Sequence, residues 1–246
     1  MKDALRKPEA RPAGEPQRSA ARRGPRAGRP SGIRAANAQA TREAIQRAAT
    51  RVFARHGFDG GRVEQISKAA KSYDRMIYYY FGSKEGLYLA VLEELYRKFN
   101  EAESRLALDL ERPVEALADV VRFVWNYYRH NPEFITLLNT ENLHRGRHIA
   151  KSPRAGEYSS PAMKLLDRVL ERGIALGQFR RTANARDTYL MIAALGYFYL
   201  SNRYTLTTFL GERVDTPEAF EHWEAFMVDA VRRAVAPPDE LPRAGS

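Results

Sequence analysis

The chain has 246 residues, enough to bury a full hydrophobic core in one or two domains. It contains no cysteine, which excludes disulfides, Cys-ligated zinc and a thiol nucleophile and fits a reducing cytoplasm. Its formal net charge is +10, and residues 1–34 hold ten Lys/Arg against three acids, so most of the excess sits at one end.

Residues 1–36 carry five prolines, four glycines and almost no large apolar side chain. Such a segment cannot bury enough surface to offset its ordering entropy, so it is expected to be a disordered basic arm. Within it, Pro25-Arg26-Ala27-Gly28-Arg29-Pro30 approximates the Arg-Gly-Arg-Pro core of a minor-groove arm, with an alanine inserted. The arm has arginines but no apolar core, the reverse of a secretory signal.

From about Ala38 the apolar period becomes helical. Ile45, Ala48, Ala49, Val52, Phe53 and His56 line one face, and Gly57 stops the helix. Two short helices follow. The first offers Val63, Ile66, Ala69 and Ala70; the second starts near Asp74 and carries Ile77, Tyr78, Tyr79, Tyr80 and Phe81. Gly82 breaks it, and Ser83 is placed to cap the next helix. Helices this short around a turn this tight suit a DNA-reading helix-turn-helix, whose second helix enters the major groove. Ile77, Tyr78 and Phe81 share a helical face, so Tyr78 is expected in the core and Tyr79 and Tyr80 toward solvent or DNA.

Around these residues the sequence resembles the TetR family of one-component transcriptional repressors. A-x-x-V-F-A-x-H-G-F (Ala49 to Phe58) precedes the turn, and I-Y-Y-Y-F-G-S-K-E-G-L follows it; the match runs from about Thr41 to Val91. The resemblance implies an all-α homodimer that binds a palindromic operator and releases it when a small molecule enters the C-terminal domain. It also implies phosphate contacts from Tyr79, Tyr80 and Lys84. The family's Gly-Val-Ser turn is replaced by Lys71-Ser72-Tyr73, so a lysine would occupy a left-handed position at a cost of roughly 1 kcal/mol.

In a helix-turn-helix, residues near the start of the second helix reach base edges while flanking residues grip phosphates. Arg75 alone there has the fork geometry to read guanine. Tyr73, Asp74 and Met76 are its neighbours, and Asp74 is expected to cap the helix rather than face phosphate. Arg62 and Lys71 complete the candidate DNA-binding set, and Lys84 joins its charge to a helix dipole.

Further helices are expected from Ser83 to near Asp109, from Pro113 through Arg129, from Pro132 to about His144 with Asn131 as cap, from Ser160 to about Leu176, from Ala185 to about Leu210 behind Asn184, and from Pro217 to about Val235 behind Thr216. Residues 145–159 read as a loop. The total is about nine helices and no strand, divided into the arm (1–36), a helix-turn-helix domain (37–82), a ligand-binding and dimerisation domain (83–236) and a tail (237–246).

The segment Phe134 to His148 mixes apolar walls with placed polar groups, as a pocket requires. It is similar, in part, to a TetR subfamily that includes a pyrimidine-responsive regulator, which implies a small, flat, polar ligand. Trp125, Tyr128, Asn139, Asn142, Tyr189 and Tyr197 are the candidate ligand-binding residues, each also readable as ordinary core. His144 and His148 lack the partners of a metal site. The longest uncharged run of the C-terminal half, Thr188 to Asn202, is shorter than the roughly 20 apolar residues of a bilayer span, so no membrane partner is expected. The last two helices are apolar around too much of their circumference for a monomer, and Ala193, Ala194 and Gly196 permit close helix approach.

No metalloprotease, nucleophile-elbow or phosphate-loop motif is present, so neither catalysis nor a cofactor is expected. The reading is a cytoplasmic, dimeric, effector-responsive repressor. Two alternatives are an architectural DNA-binding protein acting through the basic arm and a dimeric regulator without an effector.

Overall fold

The computed structural model describes residues 31–158 and 160–238. Among them are nine α-helices and no strand: α1 (Ser31–Gly60), α2 (Val63–Ala69), α3 (Asp74–Phe81), α4 (Lys84–Glu103), α5 (Pro113–His130), α6 (Pro132–Leu143), α7 (Ser160–Ala175), α8 (Ala185–Leu210) and α9 (Pro217–Val235). Residues 1–30, with the Pro25–Pro30 arm motif, and 239–246 of the tail lie outside the described residues. Residues 31–36, expected in the arm, belong to α1, whose alanine-rich start favours helix.

Helix ends follow local chemistry. Ser83 Oγ accepts from Gly86 N (2.9 Å), Asn184 Oδ1 from Asp187 N (2.9 Å) and Thr216 Oγ1 from Ala219 N (3.2 Å). Asn131 does not cap α6 with its side chain. Its amide donates backward to Tyr127 O (2.8 Å), closing α5. The 145–159 segment is not featureless: it holds 3₁₀ turns at Ile149–Lys151 and Ala155–Glu157.

Two buried clusters organise the molecule. The first joins Ile45, Ala49 and Phe53 of α1 with Ile66 (α2), Ile77 (α3) and Leu87, Tyr88 and Val91 (α4), and it takes in Leu137 of α6. The second joins α4 to α9 around Phe99, Trp125, Tyr128, Phe134, Ile192 and Met227. Leu137 therefore plugs α6 into the core that supports the recognition helix, while Phe134 and Ile135 of the same helix belong to the other core. Gly196 closes up on the Tyr128 ring and Met227 of its own chain, so this small residue serves internal packing.

Candidate nucleic-acid interface

The turn between α2 and α3 adopts the expected shape. Ala70 ends α2, Lys71 is left-handed (φ 52°), Ser72 N donates to Ser67 O (2.9 Å) and Lys71 N to Lys68 O (3.2 Å). This 6→1 and 5→2 pair is a Schellman motif, ordinarily completed by glycine. Lys71→Gly is expected to stabilise the fold by about 0.5–1 kcal/mol, the left-handed penalty less glycine's entropy. A thermal melt showing a lower midpoint would contradict this.

Asp74 neither caps α3 nor points freely outward. The cap position belongs to Tyr73, which makes no side-chain cap bond, and Asp74 Oδ1 accepts a short hydrogen bond from the buried Ser67 hydroxyl of α2. The carboxylate thus ties the start of the recognition helix to the helix behind it. Tyr73 is 70% exposed, and the Arg75 guanidinium lies over its ring at 5.3 Å. Ser67, Lys68, Ser72, Tyr73, Asp74 and Arg75 line one open cleft at this end of α3. Met76 is half-buried against the core, whereas Arg62 and Lys71 are exposed. Gln65 Oε1 accepts from Arg62 N (3.1 Å), which orders the entry to α2.

Tyr79 is 77% exposed, and half-buried Tyr80 meets its ring at 5.0 Å, edge to face. Tyr78 corrects the expectation of a core residue: it is 53% exposed. The buried centre of α3 is Ile77, and on so short a helix the next residue turns about 100° away from it. At the first residue of α4, Lys84 Nζ donates to Asp59 O (3.2 Å) and sits 4.7 Å over the Phe58 ring.

The candidate ligand residues separate. Asn142 is exposed, outside the interior group. Asn139 Oδ1 accepts from the Tyr197 hydroxyl and from Ser201 Oγ (3.0 Å), bracing α6 on α8. Trp125 is fully buried, edge-on to Tyr199 and Phe220, with no acceptor for its Nε1. Tyr128 is buried and Tyr189 half-buried, and burial pushes both phenols upward in pKa.

Two residues missed in the sequence join them. Glu103 of α4 is 2% exposed, and burial lifts its carboxyl to about 7; Oε2 has no hydrogen-bond partner. Asn100, one turn before it, also leaves its buried Oδ1 unpaired. Glu103 raises the phenols of Tyr128 and Tyr189, so these groups are neighbours. Tyr96, pushed up to about 12 by burial, extends the same stripe. The spacing Tyr96, Asn100, Glu103 is a helical repeat and was the available signal. Asn100 also lines a cleft of about 310 Å³ with Arg97, Arg154 and Tyr158.

Among the described residues no group of three or more His, Cys, Asp or Glu is arranged to hold a metal, and no helix is long and apolar enough to cross a membrane.

A short turn-linked helix pair presenting Tyr73, Arg75 and Tyr79, mounted on an all-helical body with a polar interior cluster, defines a helix-turn-helix transcriptional regulator. Residues 45–91 match the profile described as bacterial regulatory proteins of the tetR family, and residues 113–231 match the tetracyclin repressor-like C-terminal domain. The HTH-type transcriptional repressor NicS of Pseudomonas putida is 49% identical over 207 residues, 84% of this chain and 98% of that protein. The repressor SCO4008 of Streptomyces coelicolor is 31% identical over 119 residues, 48% of this chain and 57% of that protein. Among solved structures, the regulator SCO4942 from Streptomyces coelicolor superposes with a TM-score of 0.60 at 22% identity, over 80% of this chain and 99% of that one. The chain belongs to the TetR family; it is a DNA-binding transcriptional regulator of the repressor type and not an enzyme.

Proposed function

We propose that the protein is a homodimer that holds a palindromic operator through two copies of α3 and lets go when a small molecule occupies the interior cluster of the C-terminal half. The observation that carries this reading is the exposed apolar stripe on α8, Leu190, Ala194 and Phe198 at four-residue spacing; Phe226 of α9 is also exposed. An apolar stripe of this kind on a soluble chain marks an association surface. A second copy placed on it by a twofold would set the recognition helices one DNA turn, or a multiple, apart.

On the DNA, Arg75 reads a guanine edge, with Tyr73 as its resting platform. Met76 supports the same end of α3, and Asp74 holds that end to Ser67. Tyr79, Tyr80, Lys84, Arg62 and Lys71 are assigned to phosphates, and exposed Tyr78 is added to them. For the effector, Trp125, Tyr128, Tyr189, Tyr197 and Asn139 provide walls and polar anchors, joined by Asn100 and Glu103. Buried polar atoms left without partners are costly, and a ligand that satisfies them recovers that cost.

Arg75→Ala is expected to lose about 1–3 kcal/mol at one operator position and relax its specificity. Lys84→Ala should weaken all sequences alike and flatten the salt slope by about one unit per protomer. Fluorescence anisotropy on operator and random duplexes across a salt series separates the two roles. Equal loss by both variants on both DNAs would sink the assignment. A protein equally tight on random and promoter DNA, and dependent on residues 1–36, would be architectural instead.

A further inference from the structure

The buried pair Glu141–His148 belongs neither to the DNA-facing set nor to the interior cluster. Glu141 lies at the end of α6 and is almost fully enclosed, as is His148 in the loop after it. The Glu141 carboxylate accepts three hydrogen bonds: from His148 N (2.8 Å), from Ile149 N (2.9 Å) and from the His148 ring at Nδ1 (2.8 Å). A carboxylate can only accept, so the ring carries its hydrogen on Nδ1 in this contact. That bond fixes the plane of the imidazole.

The fixed ring faces the DNA-binding half. Its centroid is 4.5 Å from that of Phe58 and 4.9 Å from that of Tyr88. Phe58 lies just beyond Gly57, whose φ of +68° breaks the helix run of α1 and redirects the chain. On the Phe58 ring rests Lys84, whose ammonium is also tied to the neighbouring Asp59 carbonyl. His144 edges the same ring at 5.8 Å, with Nε2 3.4 Å from Asp59 Oδ2 but without hydrogen-bond alignment. Two residues before Glu141, Asn139 bonds Tyr197 and Ser201 of α8.

We propose that the Glu141–His148 pair is a positioning element for DNA binding: it sets the Phe58–Asp59 seat on which Lys84 is presented to the phosphate backbone. The inference rests on the assignment of Lys84 to phosphate. An ammonium on a flexible stem gains most from being held in place, since each unordered rotamer must be frozen on binding. A buried carboxylate with three donors is rigid, so it holds the imidazole in one place against Phe58.

The test uses the full chain and a random-sequence duplex, because a phosphate contact does not need an operator. Lys84→Ala, His148→Ala and the double variant are compared by anisotropy across a salt series. The expected result is a salt slope flattened by about one unit per protomer in each single variant, and a double variant no weaker than either. Glu141→Gln keeps an acceptor for the two amides and can donate to the other imidazole tautomer, so it should retain the wild-type slope where Glu141→Ala loses it. A loss of folded protein alone lowers the active concentration and leaves the slope unchanged. Should His148→Ala fail to fold, Phe58→Leu carries the test with the same expected slope.

Wild-type slope in Lys84→Ala would remove the phosphate assignment itself. A flattened slope in Lys84→Ala with a wild-type slope in His148→Ala, or additive losses in the double variant, would overturn the positioning role while leaving that assignment intact.

Discussion

Replacing Phe198 by glutamate is expected to leave the fold intact, turn the proposed dimer into a monomer and weaken operator binding by roughly 10²–10⁴-fold, the avidity of two linked recognition helices. Phe198 is 57% exposed in the middle of α8, with Ala194 about one turn and Leu190 about two turns before it. A charge there costs the monomer little, since the position is already in water. Across a twofold axis, two such carboxylates would face each other in an apolar seam, where neither finds a counter-charge. Sedimentation of the variant reads the oligomeric state, and circular dichroism reads the fold. A folded Phe198→Glu dimer with full operator affinity would place the association surface elsewhere.

The second large effect concerns Glu103. Burial alone raises its carboxyl from the ordinary 4.5 to about 7, while no cation contributes. The folded state therefore holds this proton more tightly than the unfolded chain does. The stability so gained is fully present below about pH 4.5 and is lost as the pH rises through 7. The loss is about 1–3 kcal/mol, because local relaxation around the ionised carboxyl offsets part of the cost of burying its charge. Glu103→Gln should abolish this decline, so its melting midpoint is flat between about pH 5 and pH 8 where the wild type falls. The neighbouring phenols of Tyr128 and Tyr189 are pushed upward and stay neutral across this window, so they do not mask the effect. An unchanged pH profile in the variant would show that Glu103 is ionised and partnered in the folded protein.

The helix-turn-helix was legible because its signals are local. Gly82 and Ser83 mark one boundary by backbone freedom and capping, and Lys71 in place of the usual glycine announced a left-handed turn that the structure contains. Ends set by such chemistry, as at Asn184 and Thr216, came out where capping places them. Tyr78 was misread because a helix of eight residues has too few turns for periodicity to fix the buried face. Asp74 was misread because its partner, Ser67, sits across the turn: a cap and a cross-helix bond look identical in one dimension.

The interior was less legible. Trp125, Tyr128 and Tyr197 could be picked out as aromatic positions on apolar helices, but Asn100 and Glu103 look like members of a solvated helix face until packing buries Glu103 and half-buries Asn100. Asn142 looked like a partner of Asn139, yet three residues along a helix carried it to the outside. The sequence offers His144 and His148 no partners for a metal site and no other role. Only the folded loop showed His148 turned onto Glu141 and Phe58.

The sequence by itself therefore determined the all-helical class, the order of the helices, the ends set by caps and the family, because periodicity, caps and glycines act within a few residues; the start of α1 at Ser31 and the end of α4 at Glu103, short of the expected Asp109, carry no such local mark. The tertiary structure alone decided which polar groups are buried together, as with Glu141 and His148 or Asn139 and Tyr197. Those outcomes depend on desolvation and on pairings between residues far apart in the chain, and neither is written in local spacing.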